Sequence, residues 1–337
     1  ILLMIYLIIG YGSIGKVYLN ILKKNKFNHI YVLDTIFKKK ILKKNITFLD
    51  QPEFRKLLIK PNYVFICTPS FNHFNHAQYY LKKKIPVLIE KPFVLKTSDA
   101  KNLINLAKKN KVRCWVCFQN RLNKSVIAAK KLIKSNKIGK IKFINSSLFW
   151  SRDKIYYANG WRGRYSKDGG VLSNQAIHLL DILIYFFGTI DKFNGSLLYD
   201  KSKLSAEDLI SLIFLNKSNI PISFNATTRA KLDYGVALDV YGTKGKFEIK
   251  GLCLNELYLN NKRVQSSSEK FNKGYGLHHS DVINKFLFEK KDFFKFLIKN
   301  NLHAIKLINS IYNKLIGRNY YFRTNSNDSI LGDNGNK

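Results

Sequence analysis

Up to about residue 120 the chain alternates short, wholly apolar runs with longer stretches that carry lysine along one side. The apolar runs are Met4 to Ile9, Ile30 to Leu33, Tyr63 to Cys67, Val87 to Ile89 and Val112 to Phe118. Continuous runs of this kind suit parallel strands buried on both faces, and the segments between them, such as Ser98 to Asn110, keep the polar side of an amphipathic helix. The pattern predicts a βαβ succession and a doubly wound parallel sheet of Rossmann type over residues 1–120.

Beyond Arg121 the pattern changes. It predicts a helix over Ser125 to Asn136, a long strand over Ile141 to Trp150, a polar and aromatic loop from Ser151 to Lys167, and a helix over Val171 to Phe187. Strands without intervening helices follow at Asp208 to Leu215, Ile220 to Thr227, Val236 to Tyr241, Lys246 to Ile249 and Cys253 to Leu259, separated by turn-forming Asn and Gly. They read as a large, open and mostly antiparallel sheet. Two helices, His279 to Phe288 and Leu302 to Leu315, close the fold. The expected class is therefore α/β, with the Rossmann domain at 1–120, an α+β domain for substrate binding and oligomerisation at 121–324, and a mobile tail at 325–337.

Composition changes this picture little. The 337 residues include 46% hydrophobic ones, enough for two cores. Ile1 to Ile9 is too short to span a bilayer and leads into a glycine-rich turn, and no later stretch approaches a membrane helix. A soluble, cytoplasmic protein without a membrane partner is expected, and the start at Ile1 leaves the position of the native start open. The formal net charge of +36 is large, but only ten of the 58 basic residues are Arg, and the Lys are scattered through every segment among Asn and Ile. Specific nucleic-acid binding is not expected from that texture. Four cysteines are too sparse for a disulfide scaffold. Cys114 and Cys117 lie three apart in a strand-like run, which puts them on opposite faces, and no Cys/His cluster has ligand spacing, so no metal is expected.

Gly10-Tyr11-Gly12-Ser13-Ile14-Gly15 follows a predicted strand and opens a predicted helix. That context suits a tight turn, a backbone that touches a pyrophosphate, and a helix N-terminus that favours negative charge. Asp34 ends the second strand, where a carboxylate can bind ribose hydroxyls and repel a 2′-phosphate. NAD is therefore expected over NADP, although Lys38, Lys39 and Lys40 follow closely.

Three further segments stand at Cys67-Thr68-Pro69 with His73, at Glu90-Lys91-Pro92, and from Gly169-Gly170 through His178 to Asp181. Together with the glycine turn they resemble the Gfo/Idh/MocA oxidoreductases, over nearly the whole chain. The resemblance implies that Thr68, Pro69, His73 and Glu90 contribute to the cofactor site and that Lys91 stands beside the nicotinamide, with Pro92 in a cis or sharply turned peptide. Hydride transfer from an alcohol also requires that its proton leave, and a lysine with a lowered pKa can hold the oxygen and relay that proton.

In Ser173-Asn174-Gln175-Ala176-Ile177-His178-Leu179-Leu180-Asp181 the family pattern expects an Asp where this chain has Asn174. An amide binds a hydroxyl but cannot take its proton, which leaves acid-base work to Lys91 and His178. Asn174, Gln175 and Asp181 are expected to face the substrate. This Asn-Gln-Ala-x-His form, with Trp161-Arg162-Gly163, Asp168-Gly169-Gly170 and Gln119-Asn120-Arg121-Leu122-Asn123, is similar to a branch acting on UDP-linked N-acetylhexosaminuronic acids in surface-polysaccharide biosynthesis, by oxidation at C3. Arg121, Arg162 and Arg164, with Tyr156, Tyr157 and Trp161, form a set suited to a pyrophosphate and a stacked uracil. Two other readings stay open: a dehydrogenase of free sugars or inositols, and a non-catalytic sensor that keeps the dinucleotide fold. A sheet face uncovered by helices points to a homo-oligomer.

Overall fold

The computed structural model describes residues 3–24, 28–158, 160–199, 205–266, 278–289 and 295–316. The expected tail at 325–337 lies outside them. Seven strands form the first sheet: β1 (Met4–Ile9), β2 (Asn28–Leu33), β3 (Ile41–Lys43), β4 (Ile46–Leu49), β5 (Tyr63–Ile66), β6 (Val87–Ile89) and β7 (Cys114–Val116), in the order β3-β4-β2-β1-β5-β6-β7. All neighbours pair in parallel except β3 with β4, a short antiparallel hairpin at the edge. The hairpin was not expected, because β3 is only three residues long and its two apolar ones, Ile41 and Leu42, are exposed. α1 (Ser13–Leu22), α3 (His73–Lys82) and α4 (Thr97–Lys109) cross between parallel strands, and α2 (Gln51–Lys56) is a single capped turn. Cys114 and Cys117 fall in separate cores on the two faces of this sheet.

The second sheet has eight strands: β8 (Ile141–Phe149), β9 (Ile190–Leu198), β10 (Leu209–Asn216), β11 (Pro221–Thr227), β12 (Gly235–Gly242), β13 (Gly245–Gly251), β14 (Glu256–Leu259) and β15 (Lys262–Ser266). Their order is β15-β14-β13-β12-β8-β11-β10-β9, and every pair is antiparallel except β11 with β8. α5 (Lys124–Lys134) and the helical segments after β8 cover one face; Phe143, Ile213 and Tyr241 are exposed on strands of this sheet. β9 was missed in the sequence because five of its nine residues are polar or glycine and its burial does not alternate.

The helix expected over Val171 to Phe187 is two helices, α7 (Gly170–Asn174) and α8 (Ile177–Phe187), after the turn α6 (Lys154–Tyr157). The Val171 carbonyl accepts from both Gln175 N (3.0 Å) and Ala176 N (2.8 Å), and the second, five-residue bond widens the turn. The wide turn sits where the site residues cluster.

α9 (His279–Phe288) and α10 (Lys295–Leu315) return to the first half of the chain. Phe286 of α9 is fully buried against Tyr63, Phe65 and Trp115, and its carbonyl accepts from Arg113 Nη1 at 2.5 Å. On α10, Asn309 Oδ1 accepts from Thr97 N and Oγ1 at 2.8 and 2.7 Å, while its amide donates to Leu95 O at 2.9 Å. Among the described residues no helix is long and apolar enough to cross a membrane.

Candidate active site

A cleft of about 1300 Å³ opens between the C-terminal ends of the first sheet's strands and one face of the second sheet. Gly10, Gly12, Ser13, Ile14, Asp34, Thr68 and Pro69 line one wall. Gly10 has φ +97°, and a Cβ there would lie 2.6 Å from Cys67 O; one at Gly15 would lie 2.0 Å from Gly10 O. Those two glycines are required by the turn. At Gly12, the residue that caps α1, a Cβ would meet nothing within 4 Å. The space it would enter is where a pyrophosphate approaches the helix N-terminus. Asp34 accepts from Tyr11 N at 2.6 Å and Ile36 N at 3.0 Å, which fixes its carboxylate at the cleft edge. The buried Thr68 hydroxyl has no partner among the described residues. These features fit NAD.

His73 takes a different place from the one expected. It is 1% exposed, and its two ring nitrogens meet Pro92 O (2.8 Å) and Thr68 O (2.9 Å). It ties the two cofactor loops together from behind. The residue of α3 that reaches the cleft is His76, whose pKa burial pushes down to about 4. Nothing in the sequence distinguished the two histidines, which lie three positions apart on one helix.

Lys91, after β6, follows Glu90 and precedes a cis peptide to Pro92. Glu90 is buried, accepts from Tyr18 Oη at 2.7 Å and from Lys91 N at 3.2 Å, and stands beneath the lysine. Lys91 Nζ donates to Asn174 O at 2.7 Å and to Asn174 Oδ1 at 3.3 Å. Burial holds the ammonium below its ordinary value, against the opposing pull of Glu90 and Asp168. His178 lines the same cleft with Asn174 and Gln175. Burial, then the Lys91 charge, holds its imidazole well below the ordinary histidine value, so the ring is neutral, and its buried Nδ1 has no partner among the described residues. Glu90, Cys117 and His279 bring three ligand-type atoms within 4.8 Å of one another. Burial and Glu90 push the Cys117 thiol well up, so this sulfur keeps its proton beneath the site.

On the opposite wall, Arg162 lies over the rings of Tyr156 (4.2 Å) and Trp161 (5.1 Å). Arg152, which sequence reasoning missed, lies over Trp150 (4.8 Å) and also near the Tyr156 ring (5.3 Å). Tyr156 Oη accepts from Gln175 Nε2 at 2.6 Å. The expected set of three arginines is not brought together. Arg164 is exposed and outside the cleft. Arg121 Nε and Nη2 donate to Asp181 at 2.7 and 2.5 Å in a buried pair behind α8. Arg121 and Asp181, expected on the substrate, thus satisfy each other: a planar guanidinium buried this deeply is held by a bidentate carboxylate.

With this geometry in hand, residues 4–118 match an oxidoreductase family described by its NAD-binding Rossmann fold, and residues 126–248 match the Gfo/Idh/MocA C-terminal domain. The chain belongs to the Gfo/Idh/MocA family. Its curated relatives include uncharacterized oxidoreductases of Synechocystis, 29% identical over 190 residues (52% of this chain, 51% of that one), and of Escherichia coli, 26% identical over 188 residues (56% and 52%). The chain spans about half the length of these curated relatives. Two solved structures of similar fold are the WlbA dehydrogenase of Bordetella pertussis, in complex with NADH and UDP-GlcNAcA, and a myo-inositol dehydrogenase of Corynebacterium glutamicum. The first superposes with TM-score 0.78 at 20% identity and the second with 0.69 at 15%, each over 94% of this chain and 97% of the other. At these identities the likeness shows a shared fold.

Proposed function

We propose that this family member is an NAD-dependent dehydrogenase that oxidises a secondary hydroxyl, at C3, of a UDP-linked N-acetylhexosaminuronic acid. The carrying observation is that Lys91 and His178 share one cleft with the glycine loop on one wall and the Arg152, Tyr156, Trp161, Arg162 group on the other. A cleft of about 1300 Å³ exceeds the roughly 300–1,000 Å³ of a single small-molecule site. Two guanidiniums on an aromatic ring suit a diphosphate or a carboxylate beside a stacked base. The Bordetella neighbour, crystallised with a UDP-sugar, supports the same reading.

Bound along the glycine loop, NAD supplies the ring that takes hydride from the alcohol carbon. The chain's own residues manage the proton on oxygen. Lys91, with two N–H groups committed to Asn174, presents its remaining hydrogen-bonding position to the substrate oxygen. Burial lowers its pKa, which eases loss of the ammonium proton so that the neutral amine can take the hydroxyl proton. His178, neutral, hydrogen-bonds the same oxygen and keeps it aligned. Gln175 and Asn174 bind neighbouring hydroxyls. The reading places the enzyme in the cytoplasm, in surface-polysaccharide biosynthesis, as a homo-oligomer that buries the exposed sheet face. The test is NADH absorbance and deuterium exchange with NAD and UDP-N-acetylglucosaminuronic acid. Absorbance and exchange are expected, and their loss in Lys91→Ala locates the chemistry. Reduction of NAD by free glucose or inositol instead would move the substrate, and no turnover despite tight NAD binding would favour a sensor.

A further inference from the structure

The cleft holds an amide where proton chemistry calls for a charge, and the nearest carboxylate on that side stands just behind it. Asp168 is 3% exposed, between the turn at 164–167 and Gly169. Its Oδ1 accepts the side-chain N–H of Asn174, and its Oδ2 accepts from Gly163 N at 2.8 Å. Asn174 Oδ1 in turn accepts from Lys91 Nζ at 3.3 Å. We propose that Asp168 is a positioning residue of this site: it fixes the orientation of the Asn174 amide and supplies, one residue back from the cleft, the negative charge that Lys91 feels.

The chemistry of the three groups leaves one arrangement. An ionised carboxylate can only accept and an ammonium can only donate, so an amide between them must turn its NH₂ to Asp168 and its carbonyl to Lys91. A reversed amide would set carbonyl against carboxylate and NH₂ against ammonium. The chain Asp168–Asn174–Lys91 therefore selects the face that Asn174 shows to a substrate. It also keeps a carboxylate close to the lysine without exposing one to the substrate.

The charges around Lys91 are Glu90 below it, Asp168 behind Asn174, and Arg152 across the cleft; Cys117, His178 and His279 are the other titratable groups that act on it or feel it. Glu90 and Asp168 raise the lysine's affinity for its proton, and Arg152 lowers it. Asp168 is in turn acted on by Lys91 and Arg162, and burial pushes its carboxyl up to about 6.

This inference rests on Lys91 as the acid-base group of the proposed dehydrogenase, yet it can be tested without a sugar. The full chain is labelled with acetic anhydride across a pH series, and acetylation of Lys91 is followed by peptide mass spectrometry. Asp168→Asn keeps an acceptor for the Asn174 amide but removes the charge, and the midpoint of Lys91 reactivity is expected to fall by about one pH unit or more. In the double variant Asp168→Asn with Asn174→Asp the carboxylate stands directly against the ammonium, and the midpoint is expected to return to the wild-type value or above it. An unchanged midpoint in Asp168→Asn overturns the proposal, and so does a fall that the double variant does not reverse, which would assign Asp168 to closing the 163–168 loop. Since neither sugar nor turnover enters the readout, a wrong substrate leaves this result standing, and a failure here leaves the dehydrogenase reading to its own test.

Discussion

Lys91 is the residue on which the proposed chemistry turns, and its environment makes specific demands. Replacing it with Ala is expected to lower kcat about 10²- to 10⁴-fold, the usual scale of a lost acid-base group, while NAD affinity measured calorimetrically stays within a few-fold. In the wild type the oxidation rate should rise with pH through the lysine's depressed pKa, since the amine must be neutral to take a proton, and that limb should vanish in the variant. Asp34→Ala should narrow the preference for NAD over NADP in steady-state kinetics, because the carboxylate at the cleft edge no longer repels a 2′-phosphate. The groups legible in the sequence were those carried by contiguous motifs: the glycine turn, Glu90-Lys91-Pro92, and Asn174 with His178. Arg152 and the role of Asp168 were not legible, because the first acts through Tyr156 and the second through Asn174, contacts that exist only once the chain is folded. Arg121 and Asp181 misled for the same reason: 60 residues apart, they find each other instead of a ligand.

At the scale of elements, apolar runs revealed every parallel strand of the first sheet but β4; β3, β9 and β15 also went unseen, β3 being short and exposed and β9 lacking alternation. The wide turn between α7 and α8 also has no signature, since its residues suit a continuous helix. That stretch depends on buried acids. Gly170 has φ +76°, and a Cβ there would lie 2.0 Å from Glu207 Oε2, so Gly170→Ala should destabilise the fold or fail to accumulate. Glu207 accepts from Leu172 N at 2.9 Å and from Tyr312 Oη at 2.7 Å, and burial pushes its pKa from 4.5 up to about 8. A raised folded pKa means that the native state holds a proton the unfolded chain releases. The stabilisation is complete below about 4.5 and is lost progressively as pH rises to about 8. Melting curves should show Glu207→Gln losing less stability than the wild type across that window. The buried Arg121–Asp181 pair is a second such element, and Asp181→Ala should cost about 3–5 kcal/mol in urea unfolding, by leaving a buried guanidinium without its bidentate partner.

At the scale of the molecule, the cleft joins the two sheets, so ligands on opposite walls should each stabilise the fold. UDP alone, at a hundred times its dissociation constant, should add about 2.7 kcal/mol by mass action, read as a rise in Tm beside that given by NAD. The absence of such a rise with UDP, where NAD gives one, would count against the nucleotide-sugar reading. The sheet order also has a consequence in time. Tyr63, Phe65 and Trp115 of the first sheet are covered by Phe286, which belongs to the last part of the described chain. During synthesis the early sheet emerges from the ribosome with that aromatic surface bare, and it stays so until residues 279–288 have cleared the exit tunnel. Docking of the nascent dinucleotide-binding sheet against Phe286 therefore waits until the chain beyond residue 120 has been made.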